Sequence, residues 1–232
     1  MLRTRFIVLF IVPVLLGGCV RSASGQKPTP EQISDALPTI TDFEGDWAET
    51  QRQVFEMRDP ENPSLDPSVW CSAVVELTAN LPELAGQAGA DVEMSLQQSG
   101  QPTSLMRIQA WSNDDVDTYF GNAAEAARIC DGTTSTDEIG VTMTTRLISN
   151  RDIGDESISW SDETVPPPST QKDKLASIGR TTIARFGDIL MIAQVGTVNW
   201  TGAQALMDEE QWWDIVEIAG KKLHDLDKQV HD

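Results

Sequence analysis

Apolar residues recur along this chain at two spacings, every second position and every third or fourth, and the switches between them outline its elements. An apolar run from Phe6 to Leu16 is followed by Val20 to Thr29, which are small and polar with no period. Thr29 then predicts a short helix: it can cap the N-terminus, with Pro30 at the first position and Gln32 as capping-box partner, up to a break at Leu37-Pro38. Asp66-Pro67 opens a second helical pattern. In it Val69, Trp70, Ala73, Val74 and Leu77 share a face, Cys71 lies in the first turns, and Leu81-Pro82 ends the run.

Period two takes over from Asp91 to Gln98, where Val92, Met94 and Leu96 alternate with polar residues. Ser99-Gly100-Gln101-Pro102 then turns the chain into Ser104 to Trp111, which predicts a hairpin. Asn113 is the expected cap of the next helix, with Asp114, Asp115 and Asp117 at the positive end of its dipole. Val116, Tyr119, Phe120, Ala123 and Ala127 make its apolar side before Cys130. β-Branched residues make Gly140 to Asn150 strand-like, a short strand follows from Glu156 to Ser161, and Val165-Pro166-Pro167-Pro168 marks a loop. Ile178 to Phe186 and Ile189 to Val198 are joined by Gly187-Asp188, a second hairpin, and the later run is apolar on both faces, as a central strand is. The last helix is expected from about Gly202 to Val230, with Leu206, Trp212, Trp213, Ile215, Val216, Ile218 and Leu223 as its buried stripe. Paired strands between helices predict the α+β class, a mostly antiparallel sheet flanked by helices, rather than a doubly wound parallel one. Roughly 200 residues follow Thr29, enough for one domain with a sizeable core.

The N-terminal run changes the picture next. Arg3 and Arg5 precede an apolar stretch shorter than the about 20 residues that span a bilayer, and Leu16-Gly17-Gly18-Cys19 closes it in a way that resembles the lipobox of bacterial lipoproteins. The expected organisation is a signal peptide at 1–18, a lipidated cysteine (Cys19) with flexible tether at 19–29, and a globular domain at 30–232. Acyl chains on Cys19, palmitate among them, would hold the domain at the membrane surface without a transmembrane helix, outside the cytoplasm. Val20 is not the aspartate that retains lipoproteins in a Gram-negative inner membrane, so the number of envelope membranes stays open.

Cleavage would remove the first 18 of 232 residues and both of those arginines, so 17 basic side chains become 15 against 36 acidic ones, a formal charge of −21 in 214 residues. Phosphate binding needs a basic surface, which excludes nucleic acid as a partner. Solvated acidic faces account for such a charge, and a site for cationic partners is the other reading. Outside the cytoplasm Cys71 and Cys130 are the thiols left once Cys19 is acylated, and they are expected to pair, an isolated reactive thiol being the alternative.

The succession of lipobox, tether, short helix, Trp70-Cys71 on a helix, hairpin, helix ending at Cys130, further strands and terminal amphipathic helix resembles the extracellular sensor domain of PknH-type actinobacterial kinases, a module also found in free-standing envelope lipoproteins. The resemblance runs from about Thr29 onward and implies a sheet flanked by helices around a cleft, a non-enzymatic role and an unknown small or lipidic ligand. Family members typically carry two disulfides where this chain can form one, and with no kinase domain here any sensing would need another output. A structural or protein-interaction lipoprotein with an envelope protein partner is the alternative.

Catalytic signals are weak. His224 and His231 both lie near the C-terminus, where a fraying helix end positions acid–base chemistry poorly, and no Gly-x-Ser-x-Gly supports a nucleophile. Asp114 with Asp117 is explained by helix capping, and Asp131, Asp137 and Glu138 do not follow the alternation of an EF-hand. No zinc spacing, phosphate loop or dinucleotide fingerprint implies a cofactor. Tryptophan is the conspicuous residue, seven against one tyrosine. Most are expected in the core, but helix neighbours point about 100° apart, so one of Trp212 and Trp213 could line a groove or meet the membrane. Arg146, Arg180 and Arg185 on strands could orient an acidic ligand or form surface salt bridges.

Overall fold

Thr29 caps the first helix from both directions in the computed structural model, which describes residues 27–55, 71, 89–98, 101–112, 114–136, 138, 140–165, 167, 177–197, 207 and 209–231. Its backbone N–H donates to Gln32 Oε1 at 2.8 Å and its Oγ1 accepts from Gln32 N at 3.3 Å, which starts α1 (Pro30–Ala36) where the sequence predicts it. The segment through Cys19 and the expected helix from Asp66 to Leu81 lie outside the described residues, apart from Cys71, which is in no helix.

Eight strands make one antiparallel sheet in the order β1-β2-β3-β8-β7-β6-β5-β4. They are β1 (Trp47–Phe55), β2 (Gly89–Gln98), β3 (Gln101–Ser112), β4 (Thr134–Thr136), β5 (Thr142–Leu147), β6 (Glu156–Val165), β7 (Ser177–Phe186) and β8 (Ile189–Thr197). Both predicted hairpins form. Gln98 pairs with Gln101, and Phe186 pairs with Ile189 across a turn in which Gly187 takes φ +54°, a conformation that disfavours any other residue. β8 is central as expected, since it pairs with β3 on one side and β7 on the other. β1 and β4 carry no apolar alternation because they are the sheet's edges, and β1 is further broken by a bulge between Glu49 and Gln51. β6 runs to Val165, beyond the expected end at Ser161.

Among the described residues, helices cover the two faces unequally. Directly opposed residues of an antiparallel sheet share a face, so the register assigns every strand residue to one side or the other. α1 and α3 (Glu209–His231) cover one face, with Ile33 and Leu37, Trp212, Val216, Ala219 and Leu223 packed on Val92, Met94, Met106, Ile108, Met191 and Phe186. α2 (Val116–Cys130) covers part of the other, with Phe120, Ala123 and Ala127 on Trp111, Ile158, Ile183 and Ile192. Asp115, rather than Asn113, stands at its cap and makes no side-chain cap bond. The aspartates around it form ion pairs instead, Asp114 with Lys27 and Asp117 with Arg185. Cys130, the last residue of α2, is joined to Cys71 with Cα atoms 5.7 Å apart.

α3 begins at Glu209 with Met207 outside it, so the helix does not run unbroken from Gly202. Its C-terminal end is pinned where fraying was expected. The His231 ring lies 2.7 Å from the Asp227 carbonyl and 3.7 Å from the Asp188 carboxylate, so the last turn is tied to the β7–β8 turn.

Candidate functional site

Beyond the reach of α2 its face of the sheet turns polar and opens into a groove of about 640 Å³. Successive rows across the strands show how. Under α2 the row is Ile192, Ile183 and Ile158; the next is Arg107, Gln194, Thr181 and Trp160; the next is Leu105, Gly196, Gly179, Asp162 and Thr145. Two directly opposed glycines on the central strands leave bare backbone between Leu105 and Asp162. A Cβ on Gly196 would meet nothing within 4 Å, and one on Gly179 would come no closer than 3.6 Å to a neighbour, so the floor is open for lack of side chains rather than crowded out. Glycine inside a strand otherwise weakens it and often marks a close approach of another group.

Polar groups stand at both ends of this floor. Arg107 is held by the buried Asp91, with Nη2 2.5 Å and Nε 3.2 Å from Oδ2, and Gln53 also donates to that oxygen at 3.0 Å. Glu93, opposite Arg107, accepts from the Thr50 hydroxyl at 3.0 Å. At the other end Asp162 accepts from the Thr145 hydroxyl at 2.6 Å and from the Trp160 indole. Burial pushes the Asp162 carboxyl above its ordinary value, and these two hydrogen bonds only partly oppose it. Among the described residues no cation pairs with it and no group of carboxylates, histidines and cysteines could hold a metal.

Burial therefore disfavours the charged form of Asp162 in the folded state. An Asp162→Asn protein is expected to melt about 2–4 °C higher at pH 7, the shift that ~1 kcal/mol produces in a domain of this size. The folded-state pKa lies above the unfolded one, so this group's contribution to stability is complete below about pH 3.8 and is lost as pH rises through the folded value. The variant's advantage should accordingly shrink toward pH 4. Thermal melts at both pH values check this, and a variant less stable than wild type at pH 7 would show that Asp162 is structural.

The residues expected to bind ligand are not gathered in this groove. Trp212 and Trp213 are both buried, 0% and 2% exposed, and neither lines a groove or reaches the surface. Their divergence is accommodated because the sheet takes Trp212 while Arg151 lies 5.5 Å over the Trp213 ring, held by Glu210 and Glu217 at 2.8 Å each. Trp47, Trp111 and Trp160 are buried as well. Arg180 borders the groove through its strand, but it stands opposite Val195 on the α3 face, where its guanidinium donates to the Met207 carbonyl at 2.8 Å. Arg146 is exposed on that same face, two strands across from Arg180. Arg185 forms surface ion pairs with Asp117, Asp155 and Glu156. Arg107 and the two glycines carried a signal only in their strand positions, and Asp162, just past the expected strand end at Ser161, carried none; all four gain meaning once the register is known.

A second groove of about 530 Å³ lies against α3, lined by Phe43, Gly45, Trp47, Leu96, Ile215 and Ile218 among others. It is bordered by the Lys222–Asp42 ion pair at 2.5 Å.

With this architecture in view, solved structures provide the comparison. The extracellular domain of PknH from Mycobacterium tuberculosis superposes with a TM-score of 0.55 over 88% of this chain and 99% of that one, at 12% identity. The chain has the PknH extracellular-domain fold. An uncharacterised protein from Mycobacterium smegmatis matches over 87% of this chain and 95% of its own, with a TM-score of 0.43 and 10% identity. No protein-family model and no curated protein matches the chain. The PknH fold was expected from element order and from Trp70-Cys71 with Cys130. The Cys71–Cys130 bridge is present.

Proposed function

We propose that this protein is a lipid-anchored, extracytoplasmic domain that binds a ligand without catalysis, in the manner of a sensor module. The observation that carries this reading is the groove itself, a glycine-floored opening in an otherwise well-packed sheet, bounded by an arginine and a half-buried aspartate. Concave sites with a few convergent polar groups are where ligands bind. Its setting in the PknH fold and a disulfide suited to an oxidising compartment agree with it. The anchor rests on Leu16-Gly17-Gly18-Cys19, and among the described residues no helix is long and apolar enough to cross a membrane. A protein-interaction lipoprotein would favour a continuous exposed apolar patch. The exposed large apolar side chains described, Ile40, Val54, Leu105 and Ile129, sit on four different elements.

Native mass spectrometry of the full-length chain, produced in a lipoprotein-processing bacterium and extracted in mild detergent, tests both parts. Expected are loss of residues 1–18, added acyl mass that Cys19→Ser abolishes, and a further discrete mass released by delipidation. An unprocessed chain removes the anchor. A clean mature mass accompanied by partner adducts turns the function toward protein interaction.

A further inference from the structure

The groove's charges and floor describe the ligand more closely, an inference that rests on the binding reading above. Of its lining cations, Arg180 directs its guanidinium to the Met207 carbonyl on the opposite face, and Arg107 is already neutralised by its ion pair with buried Asp91. Glu93 and Asp162 remain, and their hydrogen-bond partners, Thr50, Thr145 and Trp160, are all neutral. A half-buried carboxylate with only neutral donors gains most from a cation that brings both charge and hydrogen bonds, since charge-assisted bonds are about twice as strong as neutral ones. Between the ends the floor is bare at Gly196 and Gly179, with Leu105 and Met143 as apolar neighbours and Thr181 and Gln194 as polar ones. Leu105 on β3 and Asp162 on β6 are separated by three inter-strand steps, roughly 14 Å between backbones. That span takes a body of about one ring and a short chain.

We infer that the groove binds an organic cation, a primary ammonium or amidinium seated on Asp162 with a compact apolar body lying along the Gly196–Gly179 floor. The carboxylate supplies the charge that selects an amine over an acid of the same size. The glycines supply the space, and any side chain at Gly196 projects into it.

Titration calorimetry of the full chain with 2-phenylethylamine and with 3-phenylpropionate, in about 150 mM salt to screen the nonspecific pull of so acidic a protein, tests this. Wild type should bind the amine at least tenfold more tightly than the acid. Asp162→Asn should lose that preference, and Gly196→Leu should bind neither, while thermal melts show both variants folded. Amine binding that Asp162→Asn leaves unchanged, or a preference for the acid, overturns the cation assignment. If Gly196→Leu still abolishes binding in that case, the groove reading survives it. If Gly196→Leu binds like wild type, or wild type binds neither probe, the groove reading falls together with the cation.

Discussion

Replacing Cys71 and Cys130 together by serine is expected to lower the melting temperature by roughly 10 °C, the largest loss among the variants considered, together with Trp212→Ala. The bridge spans 59 positions of sequence, and closing a loop of that size in the unfolded chain is worth about 4 kcal/mol in the chain-entropy model. In a domain of this size each kcal/mol moves the midpoint by about 2–4 °C. The tie acts at one place, the last residue of α2, which is fully buried and adjoins the turn that carries the chain into β4. Thermal melts with and without reductant check the effect: wild type in reductant should approach the double variant, and the double variant should not respond. Equal melting temperatures for wild type and double variant would mean that native packing alone positions α2. Because α2 ends where the groove begins, amine binding should weaken in the double variant even at temperatures where it stays folded.

Trp212→Ala is expected to cost about 3–5 kcal/mol, the range for emptying a large aromatic from a packed core. Trp212 is fully buried between α3 and the sheet, in the cluster that joins α1, α3 and five of the strands. Its indole nitrogen is buried with no hydrogen-bond partner among the described residues. Trp212→Phe should therefore lose much less, since it gives up volume but also removes an uncompensated polar group. Denaturant melts of the two variants separate a core role from a binding role. A residue lining a ligand groove would show the reverse pattern, an unchanged midpoint with lost binding, which is the behaviour expected of Gly196→Leu. If Trp212→Ala kept the wild-type midpoint, the helix would have to sit differently on the sheet.

These two sites also show where sequence reasoning holds and where it stops. The cysteine pairing was legible because, with Cys19 expected to be acylated, Cys71 and Cys130 remain and allow one connectivity. The capping box at Thr29, the hairpin turn at Gly187-Asp188, the apolar stripe of α2 and the doubly apolar run of β8 were legible too, because each depends on residues a few positions apart. Trp212 and Trp213 were ambiguous for the same reason. A helix wheel states the angle between neighbours but not what lies on either side, and here a sheet covers one ring and Arg151 the other. β1 was illegible because its residues are polar along both sides, as an edge strand allows, and only pairing with β2 makes it a strand.

The sequence by itself determined the α+β class, most of the elements, the hairpins and the bridge, since local hydrogen bonding, turn conformation and hydrophobic period decide those within a few residues. Only the tertiary structure decided the site. Gly179 and Gly196 become a floor, with Arg107 and Asp162 towards its two ends, when β8 inserts between β3 and β7 and aligns Leu105, Gly196, Gly179 and Asp162 in one row. That register comes from packing two helical layers on opposite faces of one sheet, where a one-residue slip would move every buried side chain to the wrong face.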